Sequence, residues 1–205
     1  PLEVMIADYA QDRLTVNPIQ ELTLRTGKVA LVLLVLSLAC TPLNTLFGFR
    51  GALRVRRALG LYGFLYVVLH LLVFTVLDYV GDLALIVQTV LEKYYIVAGL
   101  AAFVLLVPLA VTSTRGWQRR LGQRWRALHR LVYLAVPLAV LHFALLVKSL
   151  VGRPEPLLWG ALVLGLLALR IPAVRRAVAR WRDRVRHTTS EWRVANRKWR
   201  MANSK

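Results

Sequence analysis

Three of the four histidines in this 205-residue chain lie inside or at the end of long apolar segments, where ionisable side chains are unusual. They are His70, His129 and His142, whereas His187 lies in a strongly basic tail. Ionisable groups inside a membrane are costly and commonly mark functional sites. For any one of them the alternative is a hydrogen bond between neighbouring helices. Their shared placement favours a functional role.

His70 and His142 are expected to lie at the same depth in the membrane. His70 follows Arg57 by thirteen positions, and His142 follows His129 by the same number. At about 1.5 Å per helical residue, each lies roughly 20 Å from the basic end of its helix. The two helices run in the same direction because one span separates them. Two imidazoles at equal depth on parallel helices can bind one iron atom from opposite sides.

Imidazole ligands between apolar helices are typical of a heme site. Cys40 is the single cysteine, so the chain lacks the C-x-x-C-H motif for covalent attachment, and the expected cofactor is non-covalent heme b. A zinc site would favour a tetrahedral set with cysteines or carboxylates, which these segments lack. The alternative is a heme-free scaffold or transporter, and a Soret band in the purified protein would distinguish the two.

Transmembrane helices are the elements that must position these histidines. The chain is 58% hydrophobic with a mean hydropathy of +0.55, which is too apolar for one soluble core. Apolar runs long enough to cross about 30 Å of hydrocarbon predict an all-α, polytopic transmembrane helix bundle. No internal repeat appears. The five predicted spans are 28–47, 58–78, 94–113, 131–150 and 156–169.

The distribution of charge predicts the orientation of this bundle. Most of the 28 Lys and Arg residues follow the first and third spans or lie in the tail, and positive segments stay on the cytoplasmic side. The sequence is therefore divided into an outer-face segment 1–27, a heme-binding bundle 28–171 and a basic cytoplasmic tail 172–205. The same bias accounts for the net charge of +18 without nucleic acid as a partner.

Basic residues on the cytoplasmic side have two interpretations. Segment 115–130 and the tail interleave Arg with Trp, which is typical of helices lying on membrane lipids, and the tail is also a candidate docking site for a partner protein. Arg56, Arg57 and Arg124 are candidates to bind heme propionates or a flavin phosphate through paired donors. His129 lies at the same end, and we expect it to mark an inner site through which electrons arrive.

Short motifs surround these candidate residues. They are RRALGL at 56–61, LHL at 69–71, TST at 112–114, QR at 118–119, LG at 121–122, RW at 124–125, LH at 128–129, VY at 132–133, and His142. Together they resemble the ferric-reductase-like transmembrane cytochromes, and within them the heme-binding membrane subunits of bacterial methionine sulfoxide reductase systems. The resemblance covers about residues 20–172.

The wider family carries two histidines about thirteen or fourteen residues apart on each of two helices and stacks two hemes. Here Arg56 and Arg57 occupy the positions ahead of His70. The resemblance therefore implies an outer heme b held by His70 and His142, and an inner site where His129 has no histidine partner, which leaves a second heme open. The family also has six spans with both ends inside, and a helix upstream of Pro1 would reconcile that number with five.

The resemblance also implies a route for electrons. They would pass from a cytoplasmic flavin reductase through heme to a periplasmic molybdenum-containing enzyme that reduces methionine sulfoxide, with FMN as a further cofactor on the cytoplasmic face. The sequence contains no Rossmann or P-loop motif, so nicotinamide oxidation is expected on another chain. We expect an electron-transfer subunit of a bacterial inner membrane rather than a complete enzyme. The alternative is a cytochrome linked to quinone or metal reduction.

Overall fold

The computed structural model consists of helices joined by short connections. It describes residues 17–147, 154–174, 176–178 and 180, and these residues include no β-strand. The all-α prediction is confirmed, whereas His187 and most of the predicted tail lie outside the described residues. The helices are α1 Pro18–Phe47, α2 Arg50–Leu72, α3 Leu83–Glu92, α4 Tyr94–Val111, α5 Arg115–Leu121, α6 Gln123–Leu128, α7 Val132–Leu146 and α8 Glu155–Ala168.

Four helical segments of the described chain are long and apolar enough to cross a membrane. A fifth crossing is counted when α8 and the segment after it, which meet at 72°, are taken as one span. The second span extends α2 by a π-helical stretch, Val73–Asp78, and the fourth joins α6 to α7 through a short 3-10 helix, His129–Leu131. The four segments are Pro18–Phe47, Arg50–Asp78, Tyr94–Val111 and Gln123–Leu146. The polytopic bundle predicted from hydropathy is therefore present.

Helix α1 begins ten residues before the first predicted span, within the segment assigned to the outer face. The side chain of Asn17 accepts a hydrogen bond from the Gln20 N–H at 3.1 Å, and Pro18 occupies the first turn. The hydroxyls of Thr23 and Thr26 donate to carbonyls in their own helix, at 2.9 and 2.8 Å. Because these polar groups are satisfied internally, the apolar helix continues through a stretch whose composition suggested its exclusion.

The bundle is built from two pairs of helices. Helix α2 packs along α1, and α7 packs along α4, with α8 against α7. The shared core is aliphatic and includes Leu38 on α1, Leu106 on α4, Val136 on α7 and Val163 on α8. Phe64 and Val67 of α2 are partly buried against this core. Close packing therefore holds both α2 and α7, the two helices that carry His70 and His142.

A proline in α1 creates an unusual link between helices. Pro42 has no N–H, so the carbonyl of Leu38 lacks its usual donor within the helix. Arg170, which follows α8, donates from Nη2 to this carbonyl at 2.5 Å and from Nη1 to the Tyr133 hydroxyl at 2.6 Å. Its guanidinium also lies 4.8 Å from the centre of the Tyr133 ring. One arginine thus ties the end of α8 to both α1 and α7.

Candidate functional site

The imidazole rings of His70 and His142 lie side by side in the bundle. Their centroids are 6.1 Å apart and their planes are nearly perpendicular, at 82°. His70 is located near the end of α2, and His142 lies near the end of α7. The structure therefore brings together the two histidines for which thirteen-residue spacings predict equal depth.

Each of these rings is held by a backbone carbonyl of the neighbouring helix. His70 Nδ1 is 2.9 Å from the carbonyl oxygen of Thr23 on α1, and His142 Nδ1 is 2.6 Å from that of Tyr95 on α4. Because a carbonyl oxygen can only accept, Nδ1 must carry the proton in both rings. A neutral imidazole protonated at Nδ1 presents the lone pair of Nε2 for a metal bond.

The distance between the ring centroids can be compared with the distance that two imidazoles bound to a single metal atom would have. A five-membered ring with sides of about 1.35 Å places each nitrogen about 1.1 Å from the centroid. Two metal–imidazole bonds of about 2 Å then separate the centroids by roughly 6 Å. The observed 6.1 Å agrees with this requirement. In the described part of the chain no three His, Cys, Asp or Glu side chains form a cluster that could hold a metal ion.

Small residues bring the histidines close to their supporting helices. A Cβ atom at Gly27 would lie 3.1 Å from His70 Nδ1, and one at Gly99 would lie 2.7 Å from His142 Nδ1. Each glycine lies four residues after the residue whose carbonyl binds the ring, Thr23 or Tyr95. Thr23, Gly27, Tyr95 and Gly99 are not identified by the sequence analysis. The available signal was a shared spacing, since each histidine follows the residue whose carbonyl binds it by 47 residues.

His129 is not brought to the histidine pair. Its ring stacks on Trp125, with centroids 4.0 Å apart, and its Nδ1 lies 3.2 Å from the Trp125 carbonyl oxygen. Trp125 is itself fixed by a hydrogen bond from its indole nitrogen to the Thr112 carbonyl at 2.9 Å. His129 therefore lies thirteen residues before His142 on the same span, beside an aromatic ring and without a second imidazole among its ring contacts in the described structure.

The predicted arginines differ in how firmly the structure holds them. Arg56 is half-buried and donates from Nη1 to the Thr41 hydroxyl at 3.2 Å, and its charge is close enough to act on His129. Arg57 and Arg124 are exposed. Arg170 is a further arginine at this end of the bundle, which the sequence analysis does not single out. The signal in the sequence that could have identified Arg170 is its position as a single arginine directly after the last apolar run.

Comparison with known proteins assigns the chain to a family. The family described as ferric reductase like transmembrane component matches residues 26–140. The chain is 48% identical over 178 residues to the protein-methionine-sulfoxide reductase heme-binding subunit MsrQ of Rhodospirillum rubrum, covering 86% of this chain and 85% of that protein. It is 48% identical over 173 residues to MsrQ of Rhizobium meliloti, covering 84% and 78%. For MsrQ of Xanthomonas axonopodis the identity is 46% over 160 residues, covering 78% and 72%. No solved structure matches the chain.

Proposed function

This chain belongs to the ferric reductase like transmembrane family, and we propose that it is the heme-binding membrane subunit of a methionine sulfoxide reductase system. The printed names of its relatives support this proposal, because they describe heme-binding subunits of such reductases. The geometry of the His70 and His142 rings supports a heme site in this chain independently of those names. A multi-pass bundle with a heme ligand pair is suited to carry electrons across a membrane.

We assign His70 and His142 as the residues that would hold one heme b. The observation that carries this assignment is the 6.1 Å separation of two rings whose Nδ1 atoms are both engaged by carbonyls. When bound, the heme supplies a one-electron redox centre. The protein supplies fixed ligands, since backbone carbonyls of Thr23 and Tyr95 orient the imidazoles and set their tautomer. The lone cysteine, Cys40, is consistent with a heme that is not attached covalently.

The orientation follows from the distribution of positive charge. The arginine-rich end of the bundle, defined by Arg56, Arg57, Arg124 and Arg170, is assigned to the cytoplasmic side of a bacterial inner membrane. The histidine-pair end, defined by His70 and His142, then lies in the outer half of the membrane. Electrons therefore travel from the arginine-rich end to the histidine-pair end and leave on the periplasmic side.

We further propose the partners and the site at which electrons arrive. A cytoplasmic flavin reductase is the donor and a periplasmic molybdenum-containing methionine sulfoxide reductase is the acceptor. His129, with Arg56, Arg57 and Arg124 nearby on the same side, marks the site of arrival, and these arginines have donors suited to the phosphate of an FMN or to heme propionates. Membrane lipids contact the exposed apolar surface of the bundle.

Spectroscopy of the purified protein tests the heme assignment. A reduced-minus-oxidised spectrum with pyridine hemochrome quantification is expected to show one heme b held by the histidine pair, and any second heme would be counted in the same measurement. His70→Ala and His142→Ala should each abolish the low-spin, six-coordinate signal, because only one axial ligand remains. Purified wild-type protein without a Soret band, or low-spin spectra unchanged in both variants, would overturn the assignment.

A further inference from the structure

The two histidines are supported by the same arrangement of residues in two different pairs of helices. In the first pair, the Thr23 carbonyl and Gly27 on α1 lie against His70 on α2. In the second pair, the Tyr95 carbonyl and Gly99 on α4 lie against the imidazole of His142. The sequence separations are also identical, with the glycine four residues and the histidine 47 residues after the carbonyl residue.

The equal sequence separations in the two helix pairs do not arise from connections of equal length. Helices α1 and α2 are joined by two residues, whereas α4 and α7 are joined through the short helices α5 and α6. The equal separations therefore hold the histidines at matched positions on helices with different connections. This correspondence does not appear as an internal repeat in the sequence, because each helix pair contributes to it only one backbone carbonyl, one glycine and one histidine.

The glycines determine how closely each imidazole approaches its supporting helix. A Cβ atom at Gly99 would lie 2.7 Å from His142 Nδ1, which is closer than non-bonded atoms can remain, and 3.0 Å from its Cε1, which is a tight contact. A Cβ atom at Gly27 would lie 3.1 and 3.2 Å from the corresponding atoms of His70. The ring cannot simply turn away, because its Nδ1 is hydrogen-bonded to the carbonyl one helical turn earlier.

We propose that Gly27 and Gly99 are positioning residues that set the planes of the two axial imidazoles. This inference rests on the proposed heme function and extends it to residues that do not touch the cofactor. Each glycine leaves space for the Nδ1 and Cε1 atoms of one imidazole beside a helix, while the carbonyl of Thr23 or Tyr95 holds Nδ1. The result is the near-perpendicular arrangement of the two rings, at 82°.

Electron paramagnetic resonance of the oxidised protein measures this property directly. The low-spin ferric signal depends on the angle between the two axial ligand planes, so wild-type protein should show the strongly anisotropic signal of perpendicular imidazoles. Gly99→Ala should shift or broaden that signal and lower heme retention by about tenfold. Gly27→Ala should have the same effect to a smaller degree, because its contact is longer.

Two other glycines provide matched controls. Gly165 on α8 has open space around its missing Cβ, so Gly165→Ala should leave both the signal and the heme content unchanged. Gly63 on α2 packs against Leu34, where a Cβ would lie 3.0 Å from Cδ2, and it does not contact a histidine. Gly63→Ala should therefore lower the yield of folded protein while leaving the signal of the bound heme unchanged. This control separates loss of helix packing from reorientation of a ligand.

The outcomes distinguish this inference from the proposed function. Wild-type protein that binds no heme would contradict the function itself. Wild-type protein with heme, combined with signals in Gly27→Ala and Gly99→Ala that equal those of Gly165→Ala, would overturn the positioning role alone. A wild-type signal typical of parallel ligand planes would also overturn it. If Gly99→Ala does not fold, the milder Gly27→Ala variant decides, and a signal identical to wild type in that variant counts against the proposal.

Discussion

The histidine-pair end and the arginine-rich end of the bundle hold their polar groups in different ways. At the histidine-pair end, both rings are anchored by backbone carbonyls, which cannot change position without moving a helix. At the arginine-rich end, Arg57 and Arg124 are exposed, whereas Arg56 and Arg170 have side-chain hydrogen bonds to other helices of the described bundle. The first end thus holds its polar rings through the backbone of neighbouring helices, whereas the second exposes positive charge at its surface.

This difference agrees with the two tasks that an electron-transfer subunit must perform. A permanently bound redox centre benefits from ligands whose geometry is fixed in advance. A surface that meets an exchangeable donor benefits from positive charge that steers association and can adapt to its partner. The comparison predicts that substitutions at the histidine-pair end act on cofactor binding, whereas those at the arginine-rich end act on the rate of reduction or on stability.

The largest expected contrast is between His142→Ala and His129→Ala, two changes on one transmembrane span. His142→Ala removes a ligand, so the low-spin heme signal should disappear. His129→Ala should retain the signal of the outer heme, because the His129 ring contacts Trp125 and not the histidine pair. Its reduction by a cytoplasmic flavin donor should slow by on the order of tenfold, the size of effect typical for loss of a supporting group.

Stopped-flow reduction followed in the Soret band, together with heme quantification, measures both effects. A His129→Phe variant is a useful control, since it keeps an aromatic ring against Trp125 and removes the imidazole. If His129→Ala lost the outer heme and reduced whatever heme remained at the normal rate, the separation between the two ends would be wrong. His129 would then belong to the outer site.

Much of this contrast can be read from the sequence, because depth along a helix is a count of residues. The positions of His70 and His142, thirteen residues from their respective basic ends, predict that the two rings meet, and the structure places them 6.1 Å apart. The hydropathy pattern likewise predicts a polytopic bundle of five spans, and the structure has four, or five when the bent pair at α8 is counted as one. Both predictions depend on one regular quantity, the rise of about 1.5 Å per residue.

Contacts that depend on rotation around a helix or on backbone atoms are not predictable in this way. The carbonyls of Thr23 and Tyr95 belong to no distinctive residue type, and Gly27 resembles any other small residue in an apolar helix. Helix α1 begins before the first predicted span, in a stretch of mixed composition where the hydroxyls of Thr23 and Thr26 are satisfied by carbonyls of their own helix. The role of Arg170 is not visible in the sequence, because its carbonyl partner Leu38 is left without a donor by Pro42, more than a hundred residues away.

Arg170→Ala tests whether the arginine-rich end contains a structural element as well as a surface. The substitution leaves the Leu38 carbonyl without a donor and removes the bond to the Tyr133 hydroxyl, which should cost about 2 kcal/mol. The melting temperature in detergent should fall by about 5 °C. Arg176→Ala is the control, because Arg176 is exposed and donates only to the Pro172 carbonyl in the described structure. Equal melting temperatures in the two variants would show that Arg170 does not link α8 to α1 and α7.

The smallest expected effects are those of Arg57→Gln and Arg124→Gln. Both side chains are exposed, so each contributes to the positive potential of the surface without holding any part of the bundle in place. Loss of one such charge should lower the rate of association with an anionic flavin donor by about twofold at low salt, and the difference should vanish at high salt as the charges are screened.

Arg56→Gln should differ in kind, because Arg56 is half-buried and bound to Thr41, so its effect should persist at high salt. Reduction rates measured across a salt series separate the two behaviours. A salt-independent loss of activity in Arg57→Gln or Arg124→Gln would mean that these exposed arginines bind a cofactor directly, and the arginine-rich end would then contain a fixed site like that of the histidine pair.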